Sequence, residues 1–194
     1  MAADERNHEV TLRAVTDENW REALTLTVRP DQQRFVADYA PIAALALAKA
    51  YIRPGGTVWT PYAIYAAATM IGFLALACEP ETGDQYWLFH FFIDQRYQGR
   101  GYGRAALQRS IELVQRVYPQ CWMLQLVVHP ENTAARRLYT AAGFQPTGAE
   151  RWGRASLSAA NRMIRKTPSP HQRGGRMWSG YGDRPESPSA LARG

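Results

Sequence analysis

The sequence predicts a single mixed α/β domain, in which antiparallel strands lead into one β-α-β crossover. Three observations indicate this. Strand-like and helix-like segments alternate along the chain, the apolar residues keep the periods typical of those elements, and turn-forming residues separate them. The 194 residues, 46% of them hydrophobic, suffice for one ordinary core. The apolar runs end well short of the roughly 20 residues that a membrane span needs.

The charges divide the chain into unequal parts. The whole chain has a net charge of +6, yet residues 1–150 carry 14 basic and 15 acidic side chains and sum to −1. Residues 151–194 carry 9 basic and 2 acidic side chains and sum to +7. We therefore predict a polar lead-in at 1–9, a near-neutral folded domain at 10–150 and a basic, disordered tail at 151–194.

The first half of the chain predicts one strand, three helices and three strands. Residues 10–15 alternate as a strand, and Thr16 is expected to cap the helix that follows. Pro30 and Pro41 stand where two short helices can begin. Three aromatic-rich strands are predicted at residues 61–66, 70–78 and 86–93, the first two as a hairpin across the poor turn sequence Ala67-Ala68-Thr69.

The second half predicts helices and strands in alternation. A helix is expected from about Gly103 to Tyr118, with an apolar stripe on one side. A buried strand at 122–129 precedes a short helix from Asn132 to Ala142, which Gly143 closes.

A glycine-rich loop joins the third aromatic-rich strand to the long helix. Its glycines allow close approach of the backbone to a ligand, and a helix N-terminus adds unpaired N–H groups and partial positive charge. Both features suit a polyanion such as a pyrophosphate. Three glycines alternate there, Gly99, Gly101 and Gly103, and three arginines flank them, Arg96, Arg100 and Arg104.

Other phosphate-binding loops fit less well. Gly101, Gly103 and Ala106 formally match a dinucleotide-binding fingerprint, but no acidic residue follows about 20 positions later to hold a ribose. No Gly-Lys-Ser/Thr follows the glycines, so a Walker loop is absent.

Two motifs resemble the GCN5-related N-acetyltransferase (GNAT) family. The run from Gln98 to Gly103 is similar to the Gln/Arg-x-x-Gly-x-Gly/Ala signature that cradles the pyrophosphate of acetyl-CoA. The run from Asn132 to Tyr139, followed by Gly143-Phe144, is similar to the family's Asn-x-x-Ala-x-x-Leu-Tyr…Gly-Phe helix. The resemblance covers about residues 10–148. It implies a strand-helix-helix-three strands-helix-strand-helix-strand order and acetyl-CoA as cosubstrate, with no metal.

The resemblance also implies roles for individual residues. Backbone amides near Phe92 and Ile93 polarise the thioester carbonyl, Asn132 binds the pantetheine arm, and Tyr139 protonates the departing thiolate. A purely structural alternative makes Tyr139 a core aromatic residue. The pyrophosphate is expected on Gln98, Gly99, Arg100, Gly101, Tyr102, Gly103 and Arg104.

The acceptor implied by the resemblance is an amine. Asn19-Trp20 and the Gln33-x-Phe35 stretch resemble the first helical region of bacterial spermine/spermidine acetyltransferases, which implies a polyamine. Candidates for the base that deprotonates the amine are His90, Glu79 and a water chain. The rings of Tyr62, Tyr65, Tyr86 and Trp87 and the acidic residues near the N-terminus suit a cation. The alternatives are an aminoglycoside or other amine as acceptor, or a degenerate fold that binds RNA through its tail.

Two further expectations concern the chain end and the cell. The family pattern calls for a strand after residue 150, but RWGRASLSAANRMIRK lacks a period of two, so we expect this strand to be missing and hypothesise an altered reading frame after about Glu150. Cys78 and Cys121 form no CxxC, and the N-terminus is unlike a signal peptide, which predicts a reduced, cytoplasmic protein. Its expected partner is a small-molecule amine, with a homodimer left open, no membrane, and nucleic acid only through the tail.

Overall fold

The structure, a computed structural model, describes residues 9–36, 40–78, 84–151 and 154–160. These residues form one seven-stranded sheet with strand order β1-β2-β3-β4-β5-β7-β6, in which β4 and β5 are parallel and the other neighbours antiparallel. The strands are β1 (Val10–Ala14), β2 (Val58–Ala66), β3 (Thr69–Cys78), β4 (Gln85–Ile93), β5 (Met123–Val128), β6 (Gln145–Arg151) and β7 (Arg154–Ala160). The α-helices are α1 (Trp20–Thr25), α2 (Ile42–Ile52), α3 (Tyr102–Val117) and α4 (Thr133–Ala141), and short 3₁₀ helices span Pro30–Phe35, Pro54–Gly56 and Gln95–Tyr97.

The sheet separates two apolar clusters. Along β3, alternate side chains belong to opposite faces, so that Phe73 joins one cluster and Leu74 the other. The cluster with Phe73, here called the α1/α2 cluster, includes Ala23 of α1 and Ala46 of α2. The cluster with Leu74, here called the α3/α4 cluster, includes buried residues of α3, Tyr139 of α4 and Phe144. Helices therefore cover both faces of the sheet. No helix in the described part of the chain has the length and apolar character to cross a membrane.

Most predicted elements of the first half are present. The β2–β3 hairpin is confirmed, and it turns through Ala67, whose φ of 52° is in the left-handed region. Thr16 is not the helix cap: α1 begins four residues later, and the Thr16 N–H donates to the side chain of Asn19, the residue before the helix. The helix expected after Pro30 is a 3₁₀ helix, and residues 37–39 lie outside the described part.

The expectation that the closing strand is missing is wrong. β7 pairs along its length with β5, from Met123 opposite Ala160 to Val128 opposite Ala155, and β6 pairs on its other side. The sheet therefore extends to Ala160, past residue 150, and the missing strand no longer supports an altered reading frame. Local propensity failed here because β7 is rich in small residues, and pairing with a buried neighbour decides whether such a segment forms a strand. The rest of the predicted tail, 161–194, lies outside the described residues.

Candidate active site

The two central parallel strands separate toward their C-terminal ends. In the described residues, β4 and β5 pair only from Gln85 to Trp87, opposite Met123 to Gln125. Beyond these residues β5 continues along β7 and β4 continues along β3, so a gap opens between β4 and β5. A gap of this kind exposes backbone hydrogen-bonding groups, which a ligand can satisfy.

A β-bulge deforms β4 beside this gap. One residue of β3, Leu74, faces two residues of β4, His90 and Phe91. His90 is the extra residue, with a φ of 51° that is uncommon for a non-glycine residue. Its ring lies 6.0 Å from that of Trp59, a member of the α1/α2 cluster. The bulge therefore directs the predicted base to the α1/α2 face of the sheet.

The predicted acid lies on the opposite face. Tyr139 of α4 is buried, and its ring centroid is 6.3 Å from that of Phe91 and 5.9 Å from that of Phe144. Burial raises the pKa of the Tyr139 hydroxyl above its ordinary value, so the phenol keeps its proton at neutral pH. The bulge therefore places His90 on one face of β4, and the next residue, Phe91, contacts Tyr139 on the other face.

The glycine loop has the geometry expected of an anion site. Gly99 and Gly101 adopt φ values of 77° and 84°, which are accessible to glycine and strained for other residues. α3 begins directly after Gly101, and its first turn contains no acidic residue. An N-terminus of this kind presents unpaired N–H groups and partial positive charge, with the exposed Arg100 and Arg104 alongside. The loop therefore fits a pyrophosphate.

Arg96, one of the three arginines expected to flank the pyrophosphate, pairs with a buried carboxylate. Its Nε donates to Oδ1 of Asp94 at 2.7 Å, and Asp94 is only 1% exposed. The same carboxylate accepts the backbone N–H groups of Arg96 and Thr27. Burial on its own raises the pKa of Asp94, but these hydrogen bonds outweigh it and hold that pKa below its ordinary value. Arg96 and Asp94 thus fix the loop to the segment after α1.

Two predicted cosubstrate residues also make internal hydrogen bonds. The amide nitrogen of Gln98 donates to the carbonyl oxygen of Ile93 at 2.8 Å and to Oε1 of Gln32 at 2.9 Å. The Oδ1 of Asn132 accepts the N–H of Ala135 at 3.1 Å and so caps α4. The Asn132 side chain can therefore act on a ligand through its amino group, as a donor.

The backbone at the end of β4 distinguishes Ile93 from Phe92. The N–H of Asp94 donates to Ile71 of β3, and the carbonyl oxygen of Phe92 points at Gly72 of the same strand. Because successive residues of a strand direct their backbone groups to opposite sides, Ile93 directs its N–H away from β3, toward the gap. Of these two backbone N–H groups, the geometry favours that of Ile93 as a donor to a ligand in the gap.

The predicted acceptor residues do not all come together. Tyr62 and Tyr86 belong with the α3/α4 cluster, whereas Tyr65 and Trp87 belong with the α1/α2 cluster. The ring that sequence reasoning missed is Trp59, which lies 4.9 Å from Phe89 and has the Lys49 ammonium 5.0 Å from its centroid. Glu79 lies outside the described residues.

The sequence agrees with this geometry. The sequence model of the acetyltransferase (GNAT) family matches residues 12–144, which include the glycine loop, the bulge and Tyr139. The chain belongs to the GNAT family. It is an acetyl-CoA-dependent N-acetyltransferase, as the resemblance of the glycine loop and the Asn132–Tyr139 run implied.

Other GNAT proteins resemble this chain in sequence or in fold. The spermine/spermidine N(1)-acetyltransferase of Bacillus subtilis is 31% identical over 144 residues, which cover 72% of this chain and 90% of that protein. The spermidine N-acetyltransferase of Vibrio cholerae, solved with CoA and spermine, has a TM-score of 0.58 at 17% identity, over 77% of this chain and 92% of that one. The aminoglycoside acetyltransferase AAC(6′)-Ib, solved with coenzyme A and kanamycin, has a TM-score of 0.62 at 19% identity, over 79% and 95%.

Proposed function

We propose that this acetyltransferase transfers the acetyl group to a primary amine of a polyamine such as spermidine. One observation carries the chemistry: His90 and Tyr139 lie on opposite faces of β4, at the bulge beside the gap. The 31% identical relative, a spermine/spermidine N(1)-acetyltransferase, supports the polyamine. When bound, acetyl-CoA supplies an activated acetyl thioester.

The glycine loop holds the cosubstrate. Backbone N–H groups along the run Gln98, Gly99, Arg100, Gly101, Tyr102, Gly103 and Arg104 bind the pyrophosphate, since the positive φ values and the helix N-terminus turn several donors toward one anion. The Asn132 amino group donates to the pantetheine arm. The Ile93 N–H, rather than that of Phe92, donates to the thioester oxygen, where a fixed donor stabilises developing negative charge.

His90 removes the amine's proton, directly or through a water molecule. An alkylamine has a pKa of about 10.4, so it must lose a proton before it can attack. Imidazole side chains titrate near neutrality and accept protons at physiological pH. His90 lies on the α1/α2 face, so the amine approaches from that face.

Tyr139 assists the leaving sulphur from the other face. Burial raises the pKa of Tyr139 above its ordinary value, whereas a thiol has an ordinary pKa of only about 8.5, so complete transfer of the phenol proton to the sulphur is unfavourable in the resting enzyme. Tyr139 therefore first donates a hydrogen bond to the sulphur and gives up its proton only as negative charge accumulates there.

A second acceptor class is favoured by one observation. The Lys49 ammonium lies over the ring of Trp59 on the face from which the amine approaches. This contact shows that the Trp59 ring accommodates a cation, but the positive charge of Lys49 also repels a polycation. An aminoglycoside is a polycation too, but its hydroxyl oxygens can accept hydrogen bonds from the Lys49 ammonium, which spermidine cannot do.

A thiol-release assay with acetyl-CoA separates the two acceptors. The panel is spermidine, spermine, putrescine and kanamycin, each over a range of concentrations. We expect kcat/KM for spermidine or spermine to exceed that for kanamycin at least about tenfold. The reverse order replaces the polyamine with the aminoglycoside class, and turnover of none of the four contradicts both acceptors.

A further inference from the structure

One polar segment connects both edges of the β4–β5 gap. This bridging segment, residues 27–35, follows Leu26, which is buried, and includes the 3₁₀ helix Pro30–Phe35. Val28 packs in the α1/α2 cluster and so fixes the start of the segment on the amine's face of the sheet. None of the residues in the 3₁₀ helix is buried, so the position of this helix depends mainly on hydrogen bonds and ion pairs with its neighbours.

The β4 edge holds the bridging segment at two points. The Thr27 N–H donates to Asp94 at 2.9 Å, and the Gln95 N–H donates to the Thr27 carbonyl oxygen at 2.9 Å. Five residues further on, Oε1 of Gln32 accepts the amide N–H of Gln98 at 2.9 Å. Gln98 is the residue directly before Gly99, so the second contact joins the bridging segment to the glycine loop itself.

The β5 edge holds the other end of the segment. Arg34 forms an ion pair of 3.0 Å with Glu131 in the loop before α4, and the Phe35 ring lies 5.1 Å from that of His129. Both partners of the ion pair are more than half exposed, so it is weak in solution. The bridging segment is thus held more firmly at the glycine loop than at the β5 edge.

We propose that Gln32 is a positioning residue that couples binding at the glycine loop to the order of the bridging segment. This inference rests on the proposed function in one respect, that the loop binds the pyrophosphate of acetyl-CoA. A bound pyrophosphate fixes the loop and with it Gln98, whose amide holds Gln32. Binding of the pyrophosphate therefore lowers the conformational entropy of the bridging segment in advance, so this segment is ordered before the amine arrives. Coupling of this kind is reciprocal, so the amine also strengthens CoA binding.

Hydrogen exchange of the full chain with and without CoA tests the coupling. We expect saturating CoA to slow exchange in peptides from the glycine loop and also, by about fivefold or more, in peptides covering residues 27–36. Gln32→Leu removes the acceptor of the Gln98 hydrogen bond, and with it that of a longer hydrogen bond of 3.3 Å from the Arg29 N–H, and is expected to abolish the second effect and keep the first. Gln33→Leu, at an exposed position of the same 3₁₀ helix, is the matched control and should behave as the wild type does.

A conservative variant and a protease give independent readouts. Gln32→Glu keeps a side-chain oxygen that can accept from Gln98, so it should restore the CoA effect that Gln32→Leu loses. Trypsin can cut the bridging segment after Arg34, whereas Pro30 protects the bond after Arg29. CoA should therefore slow cleavage after Arg34 in the wild type and in Gln33→Leu, but not in Gln32→Leu.

The outcomes separate the coupling from the proposed function. Equal protection of residues 27–36 by CoA in the wild type and in Gln32→Leu, with the glycine loop protected in both, overturns the coupling and leaves the cosubstrate site intact. Protection of neither region by CoA contradicts the cosubstrate site and the coupling together. Loss of protection in Gln32→Leu alone, with rescue by Gln32→Glu, supports the coupling.

Discussion

The cosubstrate side and the amine side of the β4–β5 gap are built from different parts of the chain. In the proposed site, the cosubstrate side is one continuous run from Gln98 to Arg104 together with the start of α3, and the donors that we propose are backbone N–H groups. The amine side combines side chains of α2, β2 and β4, namely Lys49, Trp59 and His90. Backbone donors bind a phosphate with little dependence on side chains, provided that glycines allow the loop conformation, whereas a side-chain surface changes its preference with each substitution. On this proposal, substitutions change the amine preference more readily than the cosubstrate.

Replacement of Tyr139 gives the largest expected effect and tests whether the face of β4 opposite the amine side contributes to chemistry. Tyr139→Phe removes only the hydroxyl, and the ring still packs on Phe91 and Phe144. Loss of a general acid lowers kcat by about 10² to 10⁴, and we expect a fall in this range. The measurement is steady-state kinetics with the best amine of the panel, together with the Kd of CoA, which should change less than about twofold.

The control for this variant is Tyr51→Phe, since Tyr51 lies on α2 and is 89% exposed. It should leave kcat unchanged. If Tyr139→Phe keeps wild-type kcat, Tyr139 is a core aromatic residue and the proton must come from elsewhere.

The contrast between the two sides also explains what could be predicted from the sequence. The glycine loop and the Asn132–Tyr139 helix could be predicted from the sequence because the residues of each motif lie within a few positions of one another. Trp59, Lys49 and His90 lie in three separate elements, and no spacing along the chain indicates that they meet. The predicted aromatic rings are divided between two faces of the sheet for a similar reason. Tyr62 and Tyr65 are only three positions apart in the sequence, but they point to opposite sides of β2.

The bulge and the closing strand escaped prediction for related reasons. An extra residue at His90 shifts the strand alternation, and local sequence patterns place such a shift poorly because it depends on pairing with β3. β7 forms although its residues favour strands weakly, since β5 offers it a complete line of partners. The ion pair of Arg96 with Asp94 also escaped prediction, because the sequence does not show that Asp94 is buried and needs a partner.

Asp94→Asn gives the second largest expected effect and tests the connection between the two sides. The substitution keeps the shape of the side chain but weakens three hydrogen bonds to a buried carboxylate, from Thr27 and twice from Arg96. Hydrogen bonds to charged groups contribute about 1.5 to 3 kcal/mol, so we expect the free energy of unfolding to fall by about 2 kcal/mol at pH 7. Urea unfolding of both proteins measures this difference.

The lowered pKa of Asp94 predicts how this difference in the free energy of unfolding changes with pH. The pKa of Asp94 is lower in the folded protein than in the unfolded chain, so its stabilisation is complete above about pH 4 and is lost as the pH falls through the folded-state pKa. The difference between wild type and Asp94→Asn should therefore shrink as the pH falls below about 4. Asp31→Asn, which removes an exposed ion pair with Arg29, should cost less than about 0.5 kcal/mol. A deficit for Asp94→Asn that is unchanged in acid contradicts the role of the carboxylate charge.

Gly101 in the loop and Gly103 in the first turn of α3 provide the smallest and sharpest test of backbone recognition, because the same substitution should weaken CoA binding at Gly101 and only stabilise the helix at Gly103. At Gly101 the φ of 84° strains an alanine by about 1 to 2 kcal/mol, and relief of that strain moves the donors, so Gly101→Ala should weaken CoA binding about tenfold. At Gly103, inside α3, an added Cβ meets Leu138 at an ordinary distance of 3.7 Å, and alanine favours the helix by about 1 kcal/mol. Gly103→Ala should therefore raise the midpoint of thermal unfolding and keep CoA affinity close to wild type. Titration calorimetry and thermal unfolding of both variants decide the matter: equal CoA affinity in the two means that side chains, not backbone N–H groups at left-handed glycines, hold the cosubstrate, and the distinction between the two sides of the gap fails.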